Sequence, residues 1–68
     1  MITKIGIVAG EIWHFLDQER EVRLSILVKS IDKPSDMILM SLGWLAREGH
    51  VIVQESEEDF IVSLRKNV

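Results

Sequence analysis

His14 and His50 are the only imidazoles in this chain of 68 residues, and it has no cysteine. A zinc-type centre takes three or four nitrogen, sulfur or oxygen ligands, so either histidine would need carboxylates recruited from elsewhere. No spacing of His, Asp and Glu here supplies them, and both histidines are read as ordinary surface residues. A serine nucleophile would need an oriented base and oxyanion donors, and neither a strand-turn-helix elbow nor a glycine-rich phosphate loop is present. Pockets of roughly 300 to 1,000 Å³ are also hard to enclose in so small a chain. The expectation is a protein that is not an enzyme, with no metal, no cofactor and no small-molecule substrate.

Charge is the other chemistry available. The formal net charge is −3, whereas nucleic-acid binding usually starts from a basic surface that displaces counterions from phosphates. Arg20, Arg23, Arg65 and Lys66 are scattered along the chain, and Glu55, Glu57, Glu58 and Asp59 form an acidic run. The candidate contacts to DNA are Lys29 and Lys33 for flanking phosphates, Ser35 for a phosphate or a helix cap with the cap favoured, and Arg47 for base edges. Asp36 beside Ser35 suits a helix N-terminus better than a phosphate.

The elements that must carry these residues follow from periodicity. With Thr3 as N-cap, Ile5, Ala9, Ile12 and Leu16 recur at helical spacing, which predicts a first helix from about Lys4 to Gln18. Val8 and Phe15 widen its apolar face on one side and Trp13 on the other. Ile7, Glu11 and His14 lie on the opposite side. Glu21 to Leu24 alternates as a short strand. Ser25 is placed to cap a second helix built on Leu24, Leu27, Val28 and Ile31, which stops at Asp32-Lys33-Pro34 because proline disfavours helical backbone in its predecessor. Ser35 opens a third helix with Ile38, Leu42 and Leu45 on one face, and Gly49 ends it in the left-handed conformation. Val51 and Val53 then alternate as in a strand, and a second strand runs from Phe60 to about Arg65. The charged segment between them reads as a solvated hairpin tip. The whole chain, 1–68, is one domain without repeats or linkers.

Helix, strand, helix, turn, helix and hairpin make an α+β chain with the architecture of a winged helix-turn-helix: three helices and a small antiparallel sheet. The segment Leu42-Gly43-Trp44-Leu45-Ala46-Arg47-Glu48-Gly49-His50-Val51 resembles the end of a recognition helix, its glycine cap and a first wing strand. Together with Gly10-Glu11-Ile12-Trp13, it is similar to a family of short, stand-alone prokaryotic winged helix-turn-helix proteins of uncharacterised function. That resemblance implies DNA binding and transcriptional regulation, often as a dimer, with the third helix in the major groove and the hairpin on phosphates.

The third helix tests this implication. Opposite its core face stand Asp36, Met37, Met40, Gly43, Trp44 and Arg47, of which only Arg47 is a base-reading type. The alternative is a protein-interaction module. For it, Met37, Met40 and Trp44 form a soft apolar patch that is either open or covered by helix 1 or the wing. Ile7, Trp13, His14 and Phe15 supply a second surface, suited to a two-fold homodimer through helix 1, with Gly6 and Gly10 spaced for close helix approach. The apolar opening segment is too short and too soon interrupted by charge to be a signal peptide or a membrane span, so a cytoplasmic homodimer without membrane contact is expected. Double-stranded DNA and a protein are its two candidate partners.

Overall fold

A computed structural model describes residues 2–65. The elements are α1 (Ile2–Glu19), β1 (Glu21–Arg23), α2 (Leu24–Ser30), α3 (Ser35–Arg47), β2 (Val51–Ser56) and β3 (Asp59–Leu64). This is the expected α+β order, three helices and a three-stranded antiparallel sheet in the order β1-β3-β2.

α1 buries Val8, Ala9, Ile12 and Leu16, one stripe at three- and four-residue steps. Opposite it, α3 contributes Ile38, Leu42 and Leu45, α2 contributes Leu27, and Ile31, Val51 and Val62 close the core. Ile5, expected within the stripe, is only half-buried. Phe15, Val22, Leu24, Val28, Met37 and Leu64 pack against the edge of the core. The central strand β3 pairs Val62 with Val22 of β1 and with Val53 of β2. Val53 shares the core face with Val62, its fully buried partner, yet stays exposed; it lies on β2, the edge strand of the sheet.

The C-terminus of α3 forms as expected. Gly49 has φ +82°, its N–H donates to the Ala46 carbonyl at 3.1 Å, and the His50 N–H donates to the Leu45 carbonyl at 2.9 Å. This pair of bonds satisfies carbonyls that the last helical turn leaves free.

The three expected N-caps are corrected. Thr3 lies inside α1, which already begins at Ile2. Ser25 lies inside α2, whose N-cap is Arg23 with no side-chain cap bond, and Leu24 is the first helical residue rather than the end of the strand. Ser35 is the first residue of α3, and Pro34 occupies the cap position, again without a side-chain bond. In both cases the residue that leads into the helix has extended backbone (ψ 144° and 142°), and backbone geometry, rather than a hydroxyl, starts the turn. The hairpin is tighter than its charged sequence suggests. Glu55 and Ser56 belong to β2 and Asp59 to β3, which leaves Glu57 and Glu58 as the turn. Lys66 lies outside the described residues.

Candidate nucleic-acid and protein interfaces

α3 divides into three exposed regions. Its outer ridge carries Asp36, Met40, Gly43 and Arg47, all exposed, at the three- and four-residue steps that share one helical face. One flank turns to α1 with Met37 and Trp44, and the other turns to α2 and the hairpin with Leu39. The ridge therefore has one acid, one base and two uncharged positions. Arg47 sits in the last turn of the helix.

The proposed phosphate contacts do not form a basic stripe. Lys29 is exposed on α2 and borders a groove against the hairpin. The Lys33 Nζ lies 2.9 Å from Glu11 Oε2 of α1, with both side chains well exposed, and Lys33 borders a different concavity with Lys4, Ile7, Val8, Pro34 and Met37. Ser35 is exposed at the start of α3, on neither side of that ion pair.

The hairpin is acidic and is fixed to α2. The Ser25 hydroxyl donates to Asp59 Oδ2 at 2.7 Å, and the Phe60 N–H donates to Asp59 Oδ1 at 2.7 Å. The Ser25 hydroxyl first, then the Phe60 N–H, hold the Asp59 carboxyl below the usual carboxylate range, with lesser help from the Ser25 N–H and the Arg23 charge. An ionised carboxylate accepting such bonds is favoured over its protonated form. Asp59 is thus a structural anion, where a free hairpin tip was expected.

Between α1 and α3 lies an apolar seam. Its walls are mainly Ile2, Ile5, Gly6, Gly10, Trp13 and Trp44, with the His50 imidazole also on the lining; among the described residues no carboxylate, ammonium or guanidinium group lines it. Trp13 is 41% exposed and Trp44 45%. The His14 ring stands edge-on to Trp13 at 6.0 Å. A Cβ added at Gly6, Gly10 or Gly43 would meet nothing within 4 Å, so contacts within the described chain do not require glycine there. Of the expected interface residues, Trp13, Met40, Trp44 and Ile7 are open, His14 is exposed, and Phe15 and Met37 are half-buried against the core.

Helix-turn-helix with an outward α3 and a hairpin wing is the arrangement of a known domain type, and a family model described as a winged helix-turn-helix domain (DUF2582) matches residues 1–64. The chain belongs to that family. It is also similar to an uncharacterized protein of Methanocaldococcus jannaschii, 35% identical over 68 residues that cover 96% of each chain. In winged-helix terms, α3 is the recognition helix and β2–β3 the wing. This family member has a recognition ridge of no net charge, with Asp36 and Arg47 at its two ends, and a wing that carries Glu55, Glu57, Glu58 and Asp59 without a single Lys or Arg between Val51 and Leu64.

Reasoning from the sequence missed Leu39 and Phe60, which face each other across the groove between α3 and the wing. A signal existed for Phe60. Alternation along β3 puts it on the same face as buried Val62, and only its place near the hairpin end leaves it uncovered. For Leu39 the sign was four successive apolar residues, Met37, Ile38, Leu39 and Met40, more than one helical stripe can bury. Among the described residues no group of three or more His, Asp or Glu is placed to hold a metal ion, and no helix is long and apolar enough to cross a membrane.

Proposed function

We propose that this winged helix works by protein contact, as a homodimer joined through the α1–α3 seam. One observation carries the reading: two half-exposed tryptophans, Trp13 and Trp44, stand along a seam whose described lining has no carboxylate, ammonium or guanidinium group. A two-fold interface sets each patch against itself, so any charge on it would meet its own kind. A tryptophan-anchored patch whose one titratable group among the described residues is the His50 imidazole keeps that repulsion small and offers the residue type most enriched at interface hot spots. The open glycines support the same reading, since each costs about 1 kcal/mol against alanine in a helix and relieves no contact within the chain.

The test is sedimentation equilibrium of the full chain. A dimer that dissociates in Trp13→Glu and Trp44→Glu is expected. A monomer at high concentration removes the proposal.

A second reading follows from the family, in which the fold suggests DNA binding and a role in transcription. Exposed Lys29 and Arg47 favour it, and the acidic wing opposes it through repulsion from phosphates. A salt-dependent mobility shift with random duplex DNA, lost in the Lys29→Glu/Lys33→Glu double variant, is its signature.

A further inference from the structure

The face that a DNA-binding winged helix would turn to the duplex, between recognition helix and wing, is here an apolar groove with acid on one rim. Its floor and helix wall are Leu24, Val28 and Leu39, and its wing wall is Phe60 with Glu58 and Asp59. Leu39 is 47% exposed and Phe60 39%. The groove is a shallow, open depression of about 440 Å³, which suits a segment laid along the surface better than an enclosed small ligand. We propose that it docks a segment of a partner protein in which apolar residues alternate or cluster with Lys or Arg. This extends the protein-contact reading to a second surface, on the other flank of α3 from the dimer seam.

Charge complementarity selects the occupant. Glu58 and Asp59 line the groove, and Glu55 and Glu57 belong to the same hairpin, which has no basic residue. Duplex DNA would meet four carboxylates at close range, whereas an ammonium or guanidinium group would find an acceptor. Asp59 stays available as well as ionised: it accepts the Ser25 hydroxyl on one oxygen and the Phe60 N–H on the other, with lesser help from the Ser25 N–H, and a carboxylate has about four acceptor sites. Among the described residues lining the groove the one cation, Lys29, lies on α2, so the field across the groove has a direction, with the partner's basic residues over the wing.

Apolar anchoring is the second requirement. Leu39 and Phe60 are large side chains held on a helix and a strand, and the Ser25–Asp59 bond fixes the wing wall relative to α2. A preformed groove loses little ordering entropy on binding. Polar or purely basic chains would leave this surface wet, and acidic apolar chains would be repelled.

The experiment is a titration of the isotope-labelled full chain with short synthetic peptides that alternate Lys with Leu, Lys with Ser, or Glu with Leu, followed by amide shifts. The Lys-Leu peptide is expected to shift residues 24–29, 39 and 58–60 and to bind at least about tenfold more tightly than the other two, a difference of about 1.4 kcal/mol. Leu39→Ser and Glu58→Lys should each weaken it several-fold; both positions are exposed, so the fold is retained and amide dispersion checks this. Equal binding of the Lys-Ser peptide, shifts confined to the Trp13–Trp44 seam, no binding, or displacement of the Lys-Leu peptide by random duplex DNA would each overturn the proposal. Sedimentation of the same variants separates the two readings: a dimer that persists while the peptide fails to bind removes only this one, and a monomer that still binds the peptide removes only the dimer.

Discussion

The Ser25 hydroxyl and the Asp59 carboxylate, 34 positions apart in the chain, meet at 2.7 Å and join the first turn of α2 to the base of the wing turn. α2 has no side-chain cap of its own, so the wing supplies the anion that its first turn lacks. Because the folded state lowers the Asp59 pKa, its contribution to stability is fully present above the unfolded value of 3.8 and is lost as pH falls through the lower folded value. Asp59→Asn should therefore be less stable than the parent at neutral pH, with the gap closing as the buffer is taken below the unfolded value. Urea unfolding at a series of pH values measures this. A gap independent of pH would show that the charge has no part in it.

Backbone sign gives a paired prediction. Arg20 has φ +71° and Gly49 φ +82°, both in the left-handed region, where a β-carbon costs about 1 to 2 kcal/mol. Gly49→Ala should destabilise by about 1 kcal/mol and Arg20→Gly should stabilise by a similar or smaller amount. Thermal unfolding of both variants reads the opposite signs.

These two positions also show how legibility divides. Gly49 is visible in the sequence because glycine after a helical stripe is a local sign of a left-handed cap, and the apolar periods of α1, α3 and the hairpin are local in the same way. Arg20 has no such mark. The stop of α1 there follows from β1 having to reach β3, a pairing of Glu21 with Ser63 that no window of neighbouring residues contains. Ser25 is the same case: its hydroxyl suits a local cap, yet the structure uses it on Asp59. The exposed apolar residues Trp13, Met40 and Trp44 were legible as residue types. Their grouping was not, because the α1–α3 seam and the Leu39–Phe60 groove depend on how the helices and wing pack.

Ser41 is fully buried on α3, and its hydroxyl has no hydrogen-bond partner among the described residues. Removing an unsatisfied buried hydroxyl relieves a desolvation cost of about 1 to 3 kcal/mol, and alanine is also the better helix former. Ser41→Ala should raise stability by about 1 kcal/mol, whereas Ser41→Leu should overpack the core and lower it. Denaturant midpoints for the two variants give the check, and a destabilised Ser41→Ala would mean that the hydroxyl has a partner in solution.

Gly6→Ala and Gly10→Ala separate the stability of one chain from its self-association. Both positions lie in the interior of α1 and have room for a methyl group, so each change should stabilise the folded monomer by about 0.5 to 1 kcal/mol through the lower entropy of the unfolded chain. At a dimer seam the same methyl groups would hold a second helix away and weaken association. The expected result is a pair of opposite movements: unfolding at high dilution shifts to higher denaturant, while the dimer dissociates at a higher protein concentration. If both quantities improve together, the glycines do not lie at the interface and the dimer must use another face.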